Sequence, residues 1–258
     1  MRLNNKIVIL LICVLAVMSV PGCGSTGSTR NKEESAEIHM QLGIRYLNMD
    51  KLSFAKEHLE KAHDLDSDNA EVLNALAFLY EKLKQPEEAR ELYEDAIDAA
   101  PEDYSIQNNL GRLLCEQGEY ESGLNYLKQA VSSPYNNRLW LALTNAGRCE
   151  LMQDHRNAAE AYLRQALQLQ AFYAPALSEM QKIAYENGDY WSAKGFLDRY
   201  LSVGPHTAET LWYAYQTERA LGHREAAEDY RKTLLETFPL SKEAKKIISV
   251  QKHLRNGK

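Results

Sequence analysis

The stretch that decides the fold is AEVLNALAFLYEKLKQPEEARELYEDAIDAAPED, residues 70–103, followed directly by YSIQNNLGRLLCEQGEYESGLNYLKQAVSSPYNN, residues 104–137. The two stretches share one register, since Ala77 matches Gly111 and Ala96 matches Ala130 at the same separation. Small residues let two helices approach closely, and large side chains beside them fill the remaining space. Each stretch is therefore predicted to form two packed helices.

The same register continues on both sides of these stretches. The predicted repeats are residues 36–69, 70–103, 104–137, 140–173, 174–207 and 208–241, with two extra residues at 138–139. Repeats of this length, with small residues at these positions, are typical of the tetratricopeptide repeat. We expect an all-α, superhelical array of six such hairpins. Residues 242–258, with Ile247, Ile248 and Leu254 among lysines, are predicted to form a C-terminal capping helix and tail.

Residues 1–22 have the pattern of a secretory signal peptide. Arg2 and Lys6 form a basic start, and residues 7–20 are an almost unbroken apolar run that ends in small residues. The apolar run is shorter than the about 20 residues that a permanent membrane-spanning helix needs. We therefore predict that the mature chain begins after this segment.

The segment VPGC at residues 20–23 resembles a bacterial lipobox, in which the cysteine is lipidated and becomes the N-terminus. The alternative is an ordinary signal peptide that is cut nearby, with Cys23 incidental. Gly24 follows the cysteine, and no aspartate stands there to retain a lipoprotein at the inner membrane. The resemblance implies a protein anchored by lipid at Cys23 to the periplasmic face of the outer membrane. The polar residues 24–35 are predicted to be a flexible tether.

In tetratricopeptide proteins the first helices of the repeats line a groove that binds a partner protein. The predicted partner-binding residues are Met40, Ile44, Leu47, Asn48, Asn74, Phe78, Asn108 and Arg112. Four of them are large and apolar and lie near the N-terminal end, and exposed apolar patches mark binding sites. The alternative is that the segment before the first repeat folds back and covers them. Met40 and Ile44 stand where a carboxylate-clamp groove has lysine and asparagine, which excludes that type of ligand.

Cys115 and Cys149 are the two cysteines within the predicted repeats, on the first helices of neighbouring repeats. An exported protein folds in an oxidising compartment, so we predict a disulfide bond between them. The alternative is two separate buried thiols.

Composition argues against several other classes of protein. The net charge of −6 becomes −8 when residues 1–22 are removed, because 28 basic residues then face 36 acidic ones. Nucleic acid is therefore a poor partner. The sequence lacks a glycine-rich phosphate loop and an HExxH motif, and the spacing of His58 and His63 does not suit one helix face. We expect no enzyme activity, cofactor, metal site or small-molecule substrate.

The segments NNLGRLLC (residues 108–115), GEY (118–120), PY (134–135) and NAGRC (145–149) resemble the type IV pilus biogenesis and stability lipoproteins, the PilF and PilW pilotins. This resemblance runs from Cys23 to about residue 240. It implies an outer-membrane lipoprotein that binds the type IV pilus secretin subunit and supports assembly of the secretin multimer. The alternative function is that of another periplasmic scaffold lipoprotein, serving outer-membrane protein insertion or cell-wall assembly.

Overall fold

A computed structural model describes residues 26–256 of the chain, with side-chain environments for residues 31–249. The predicted signal peptide and Cys23 lie outside the described residues. Within residues 26–256 there are thirteen α-helices and no strand, which confirms the all-α class. The helices are α1 (Thr26–Asn48), α2 (Leu52–Leu65), α3 (Ala70–Lys82), α4 (Pro86–Ala99), α5 (Tyr104–Glu116), α6 (Tyr120–Ser132), α7 (Leu139–Met152), α8 (Arg156–Leu169), α9 (Ala174–Glu186), α10 (Tyr190–Leu201), α11 (Ala208–Ala220), α12 (Arg224–Thr237) and α13 (Lys242–Asn256).

The turn inside every predicted repeat has the same backbone conformation. At the fifteenth position of each repeat φ is positive, at Asp50, Lys84, Gly118, Asp154, Gly188 and Gly222. Glycine adopts this left-handed conformation readily because it has no Cβ atom. In other residues the Cβ atom lies close to the following carbonyl oxygen, which makes the conformation less favourable. In the third repeat the amide of Gly118 donates to the carbonyl of Cys115 at 3.0 Å, and that of Glu119 donates to Leu114 at 2.9 Å. These bonds end the first helix and reverse the chain.

Side-chain caps fix where two of the first helices begin. Asn69 Oδ1 accepts hydrogen bonds from the amides of Glu71 and Val72, at 3.1 and 3.2 Å. Asp103, at the equivalent position of the next repeat, caps α5 in the same way. Such caps satisfy amide groups that have no partner within the helix. The sequence thus encodes the start of α3 and α5 locally.

The described part of the chain divides into two compact units between Gln85 and Pro86, and the first contains α1, α2 and α3. Here α1 packs against both α2 and α3. Its buried side carries Ala36, Met40, Gly43 and Leu47, whose spacings of four, three and four residues follow one helix face. Gly43 permits a close approach to α2, because a Cβ atom there would lie 2.5 Å from Leu59 Cγ.

The second unit contains α4 to α13 and buries small and aliphatic side chains along its length. One apolar cluster, formed by residues of α7 to α10, consists of Leu143, Ala159, Leu163, Ala166, Leu167, Ala176, Leu177, Met180, Ile183 and Tyr200. Ala166 stands at the repeat position of Ala96 and Ala130, and Ala159 lies seven residues before it. That register identified packing positions correctly in this part of the chain.

Gln181 is an exception to the small residue that the register places in the middle of each first helix. It occupies the position of Gly111 and Gly147, and its side chain is buried. Its Nε2 atom donates to the backbone oxygen of Thr210 at 3.3 Å. This position can hold a polar side chain because the hydrogen bond of Gln181 links α9 to α11.

The irregular loop at residues 133–138 is held by Asn136. Its side-chain nitrogen donates to the carbonyl of Ala130 at 2.8 Å, and its oxygen accepts from the amide of Arg138 at 2.8 Å. The next helix then begins at Leu139, one residue before the predicted start of the fourth repeat at residue 140. The two extra residues lengthen the connection and leave the later register intact.

The structure departs from the predicted tether, because α1 begins at Thr26 and residues 26–35 are helical. Lys32, Glu33 and Glu34 are good helix formers, and extending a helix that tertiary contacts have already nucleated costs little. The predicted flexible segment is therefore wrong for residues 26–35. Among the residues described, the structure contains no helix that is both long and apolar enough to cross a bilayer.

At the other end, α13 packs against α11 and α12. Ala244 and Ile247 are buried in a cluster with Leu211 and Leu234. Ile248, which the sequence analysis grouped with Ile247 as part of the apolar side, is instead half exposed. The helix thus covers the preceding hairpin with only one of these two isoleucines.

Candidate partner-binding surface

Two of the predicted binding residues form exposed apolar sites on the first unit. Ile44 of α1 and Phe78 of α3 occupy the ninth position of consecutive repeats, and their exposed fractions are 38% and 37%. The helices that carry them pack against each other. Lys82 Nζ lies 5.5 Å from the centre of the Phe78 ring, a cation–π contact at the edge of this site. Asn48 is exposed and Asn74 is half-buried.

Met40 and Leu47 do not belong to an exposed surface. Their exposed fractions are 3% and 7%. They share the inward side of α1 with Ala36 and Gly43, so their side chains pack into the first unit. The prediction that they line an accessible groove is therefore wrong, because the spacing of four, three and four residues puts Met40 and Leu47 on the inward face of α1.

Three further large apolar side chains, which the family's groove positions do not predict, are about half exposed on the same unit: Ile38, Met49 and Phe54. The ring of Phe54 stacks on Tyr46 with ring centres 5.3 Å apart. These residues lie outside the family's groove positions, and single exposed apolar residues are normal on protein surfaces. Their concentration on one small unit is what distinguishes them.

His39 and His58 form a pair between α1 and α2. Their Nδ1 atoms are 2.9 Å apart, and the two rings stack with centres 5.2 Å apart. One nitrogen donates the hydrogen bond and the other accepts it. The contact between His39 and His58 joins α1 to α2 within the first unit.

In the second unit, Asn108 is buried rather than available to a ligand. Its Oδ1 atom accepts a hydrogen bond from Asn145 Nδ2 at 2.9 Å, which links α5 to α7. The predicted role of Asn108 as a binding residue is wrong, because its side chain completes an internal polar contact. Arg112 is half-buried and lies 3.0 Å from Glu116 on the same helix.

Cys115 and Cys149 are joined by a disulfide bond, with their Cα atoms 5.5 Å apart. Both cysteines are buried, and the bond joins the first helices of the third and fourth repeats. Asn108–Asn145 and Cys115–Cys149 therefore connect the same two helices, α5 and α7, by a polar and a covalent link. These links make this part of the second unit a rigid frame.

Glu218 is the most deeply buried carboxylate of the second unit's described side chains, with an exposed fraction of 1%. Lys194 donates to one of its oxygens, and His223 Nδ1 lies 2.6 Å from the other. Burial would raise the pKa of Glu218, but the hydrogen bonds from Lys194 and His223 outweigh burial and hold the pKa below its ordinary value of 4.5. This network joins α10, α11 and the start of α12.

Within residues 26–256, no group of three or more His, Cys, Asp or Glu side chains is arranged to hold a metal ion. The shifted pKa values of the titratable groups are explained by neighbouring ion pairs, by hydrogen bonds or by burial within the helical packing. The helical array thus offers an exposed apolar surface that a macromolecule could bind. The expectation that the protein is not an enzyme stays a prediction.

Comparison with known proteins agrees with this architecture. A tetratricopeptide-repeat family model matches residues 49–96 and 82–146. The type IV pilus assembly protein PilF of Pseudomonas aeruginosa is 26% identical over 239 residues, which cover 90% of this chain and 94% of PilF. This chain is a tetratricopeptide-repeat protein homologous to PilF.

Solved structures of tetratricopeptide-repeat proteins extend the comparison. That of P. aeruginosa PilF matches with a TM-score of 0.76 and 25% identity, over 85% of this chain and 99% of PilF. The type IV pilus biogenesis factor PilW matches with a TM-score of 0.74 and 27% identity, over 83% and 98% of the two chains. The Cut9–Hcn1 complex matches at 0.76 with 16% identity, over 84% of this chain and 42% of its own, and shares the fold alone. The resemblance to PilF and PilW expected from the sequence is thus confirmed.

Proposed function

We propose that this protein is an outer-membrane lipoprotein that binds the type IV pilus secretin subunit and acts as its pilotin. The observation that carries the proposal is the homology to PilF over 90% of the chain, since PilF is a type IV pilus assembly protein. The segment VPGC at residues 20–23 supports lipidation at Cys23. A role in pilus biogenesis requires a protein partner, which a tetratricopeptide array is suited to bind.

The surface proposed for the secretin segment is centred on Ile44 and Phe78. Both side chains are apolar, more than a third exposed, and carried by packed first helices. An amphipathic segment laid across them would bury apolar area, while Asn48, Asn74 and Lys82 supply polar contacts at its edge. Met40 and Leu47 have no direct part in this contact, because they already support α1 from inside.

Secretin assembly provides the first test. Deletion of the gene should reduce heat-resistant secretin multimers in outer-membrane fractions, and the wild-type gene should restore them. Restoration by an Ile44→Glu/Phe78→Glu variant should fail, because a buried carboxylate without a partner opposes binding. Undiminished multimers in the deletion strain would rule the proposal out.

A matched control separates binding from solubility. Leu169 and Phe172 are exposed apolar residues of the second unit, so a Leu169→Glu/Phe172→Glu variant carries the same change in charge. This variant should restore the multimers. If both variants fail equally while both remain folded by circular dichroism, the surface around Ile44 is not the specific site.

Membrane attachment has its own experiment. Once the membranes are washed at about 1 M salt, which screens contacts of charged residues with lipid, Cys23→Ser should release the protein into the soluble periplasmic fraction. Gly24→Asp should move it toward the inner membrane in a system that sorts by that residue. If Cys23→Ser leaves the membrane association unchanged, lipid anchoring through this residue is wrong.

The second candidate is a scaffold for outer-membrane protein insertion or cell-wall assembly, which would use the same surface with a different client. Photo-crosslinking from position 44 in cells distinguishes the two. Capture of the secretin subunit supports the first candidate. Capture of an insertion or cell-wall component, with no secretin, supports the second.

A further inference from the structure

The last helix of the chain differs in charge from everything before it. Residues 242–258 contain six lysines and arginines and one acidic residue, a net charge of +5. Since the whole chain has a net charge of −6, residues 1–241 carry −11. The basic residues are therefore concentrated at one end of an acidic protein.

The structure places this charge on an accessible surface. Lys242, Lys245 and Lys246 are exposed on α13, while Ala244 and Ile247 are buried against the preceding hairpin. Glu243, the single acidic residue of the helix, has an exposed fraction of 5% and is turned away from solvent. The accessible side of the described part of α13 is thus cationic.

Two lysines on α2 have an acidic neighbour one helical turn away. Lys56 lies 3.5 Å from Glu60, and Lys61 lies 2.7 Å from Glu57. Lys245, in contrast, has no acidic residue three or four positions away in the sequence. Lys242 contacts Glu243 at 3.6 Å but is itself 78% exposed. Lys245 therefore keeps a charge that no acidic residue one turn away on its own helix neutralises.

Apolar side chains accompany the lysines. Ile248 is half exposed on α13, and Leu240, two residues before the helix, is 84% exposed. A cationic helix surface with exposed aliphatic residues is the combination that binds the surface of an anionic bilayer, where charge attracts the headgroups and apolar side chains enter the interface. Nucleic acid fits less well, because the exposed Ile248 and Leu240 gain nothing from contact with a phosphate backbone.

We propose that α13 is a membrane-surface site that binds anionic phospholipid headgroups through Lys242, Lys245 and the neighbouring basic residues. Ile248 and Leu240 supply the apolar contact. The site would be a second point of attachment beside a lipid at Cys23, and contact at two points raises the effective concentration of each. The proposal itself does not require lipidation or a secretin partner.

Vesicle binding by a chain without acyl groups tests it. The protein used is residues 23–258 carrying Cys23→Ser, mixed with vesicles of phosphatidylglycerol and phosphatidylethanolamine or of phosphatidylcholine alone. Co-sedimentation should occur with the anionic vesicles at low salt and not with phosphatidylcholine. At about 1 M salt, where the Debye length is about 3 Å, binding should be lost.

Variants locate the site. Lys242→Gln/Lys245→Gln should weaken binding about fivefold for each lysine, roughly 25-fold together. Lys128→Gln/Lys232→Gln removes the same charge from exposed positions elsewhere in the second unit and should leave binding within about twofold of the parent protein. Ile248→Ser should weaken binding about fivefold, since half of this side chain is already exposed.

The outcomes are decisive in either direction. Absence of binding to anionic vesicles at low salt overturns the proposal, as does equal weakening by the two lysine pairs in variants with unchanged melting temperatures. Tighter binding to soluble polyglutamate than to the vesicles would assign the surface to an acidic protein and also overturn it. If a variant melts early, loss of the parent protein's binding at high salt still distinguishes an electrostatic site from a purely apolar one.

Discussion

Gly111 of α5 and Gly123 of α6 face each other where the two helices of the third repeat cross. A Cβ atom on Gly123 would lie 2.7 Å from the carbonyl oxygen of Gly111 and 2.5 Å from Cys115 Sγ. That sulfur is fixed by its bond to Cys149 and cannot move aside freely. A side chain at position 123 would therefore have to displace this sulfur and the backbone of α5.

Gly123→Ala should destabilise the second unit for this reason. The added methyl group forces the helices apart at a cost of about 1–3 kcal/mol, more than the about 1 kcal/mol that alanine gains over glycine in a helix. Chemical denaturation monitored by circular dichroism measures the difference. Gly195→Ala is the matched control, since no atom lies within 4 Å of its added Cβ, and it should stabilise α10 by about 0.5–1 kcal/mol. Stabilisation by Gly123→Ala would contradict the packing described for α5 and α6.

The repeat turns provide a second prediction. Gly118 has a φ of 88° with open space around its Cα, so Gly118→Ala tests backbone conformation without a clash. It should cost about 1–2 kcal/mol. Lys84 has a φ of 64° at the equivalent position, and asparagine adopts a positive φ more readily than lysine does. Lys84→Asn should therefore stabilise the protein by about 0.5 kcal/mol. Thermal melts of both variants check this pair, and an unchanged Gly118→Ala melt would show that the turn does not require a positive φ.

The disulfide should contribute measurably to stability. Cys115 and Cys149 are separated by 34 residues, and in the chain-entropy model a loop of this length is worth about 3–4 kcal/mol. The Cys115→Ala/Cys149→Ala variant should therefore unfold at lower denaturant concentration than the oxidised parent. Reductant should shift the parent protein and leave the variant unchanged. If reductant destabilises both proteins equally, the effect of reductant does not come from the Cys115–Cys149 disulfide.

Glu218 should make the second unit sensitive to acid. Its pKa is lower in the folded protein than its ordinary value of 4.5, so the folded state binds this proton less readily than the unfolded state does. The stabilisation is present above about pH 4.5 and is lost as the pH falls through the folded pKa. Glu218→Gln should reduce this loss between about pH 5 and pH 3.

The same substitution has a consequence at neutral pH. Glu218→Gln should lower the free energy of unfolding there by about 2–3 kcal/mol, because it removes the charged acceptor of Lys194 and His223. Urea titrations at several pH values test both effects. Exposed Glu57→Gln is the control and should change stability little at neutral pH. Parallel pH profiles of Glu218→Gln and the parent protein would show that another group controls acid stability.

Much of the fold could be predicted because the packing of each repeat depends on residues close together in the chain. Ala159 and Ala166 are buried where the register places them, and Asn69 and Asp103 cap helices that begin at predicted repeat starts. Small packing residues and helix caps can be recognised from the local sequence alone, without knowledge of which distant residues they contact. Gln181 did not fit this pattern, since its burial depends on the carbonyl of Thr210, which belongs to another helix.

The binding surface was less predictable. Ile44 and Phe78 are exposed as expected, whereas Met40 and Leu47 are buried. All four are apolar first-helix residues, so composition alone could not separate them. Their exposure depends on how α1 rotates against α2 and α3, and that rotation is set by Gly43 and by the inward spacing of Ala36, Met40 and Leu47.

The sequence by itself determined the all-α class, the repeat period and the resemblance to PilF and PilW, because these follow from residue types at fixed separations. It also indicated the pairing of Cys115 with Cys149. Only the tertiary structure decided which side of each helix faces solvent. In α13, Glu243 is buried whereas Lys245 and Ile248 are exposed, because the helix can bury only the face that packs against α11 and α12.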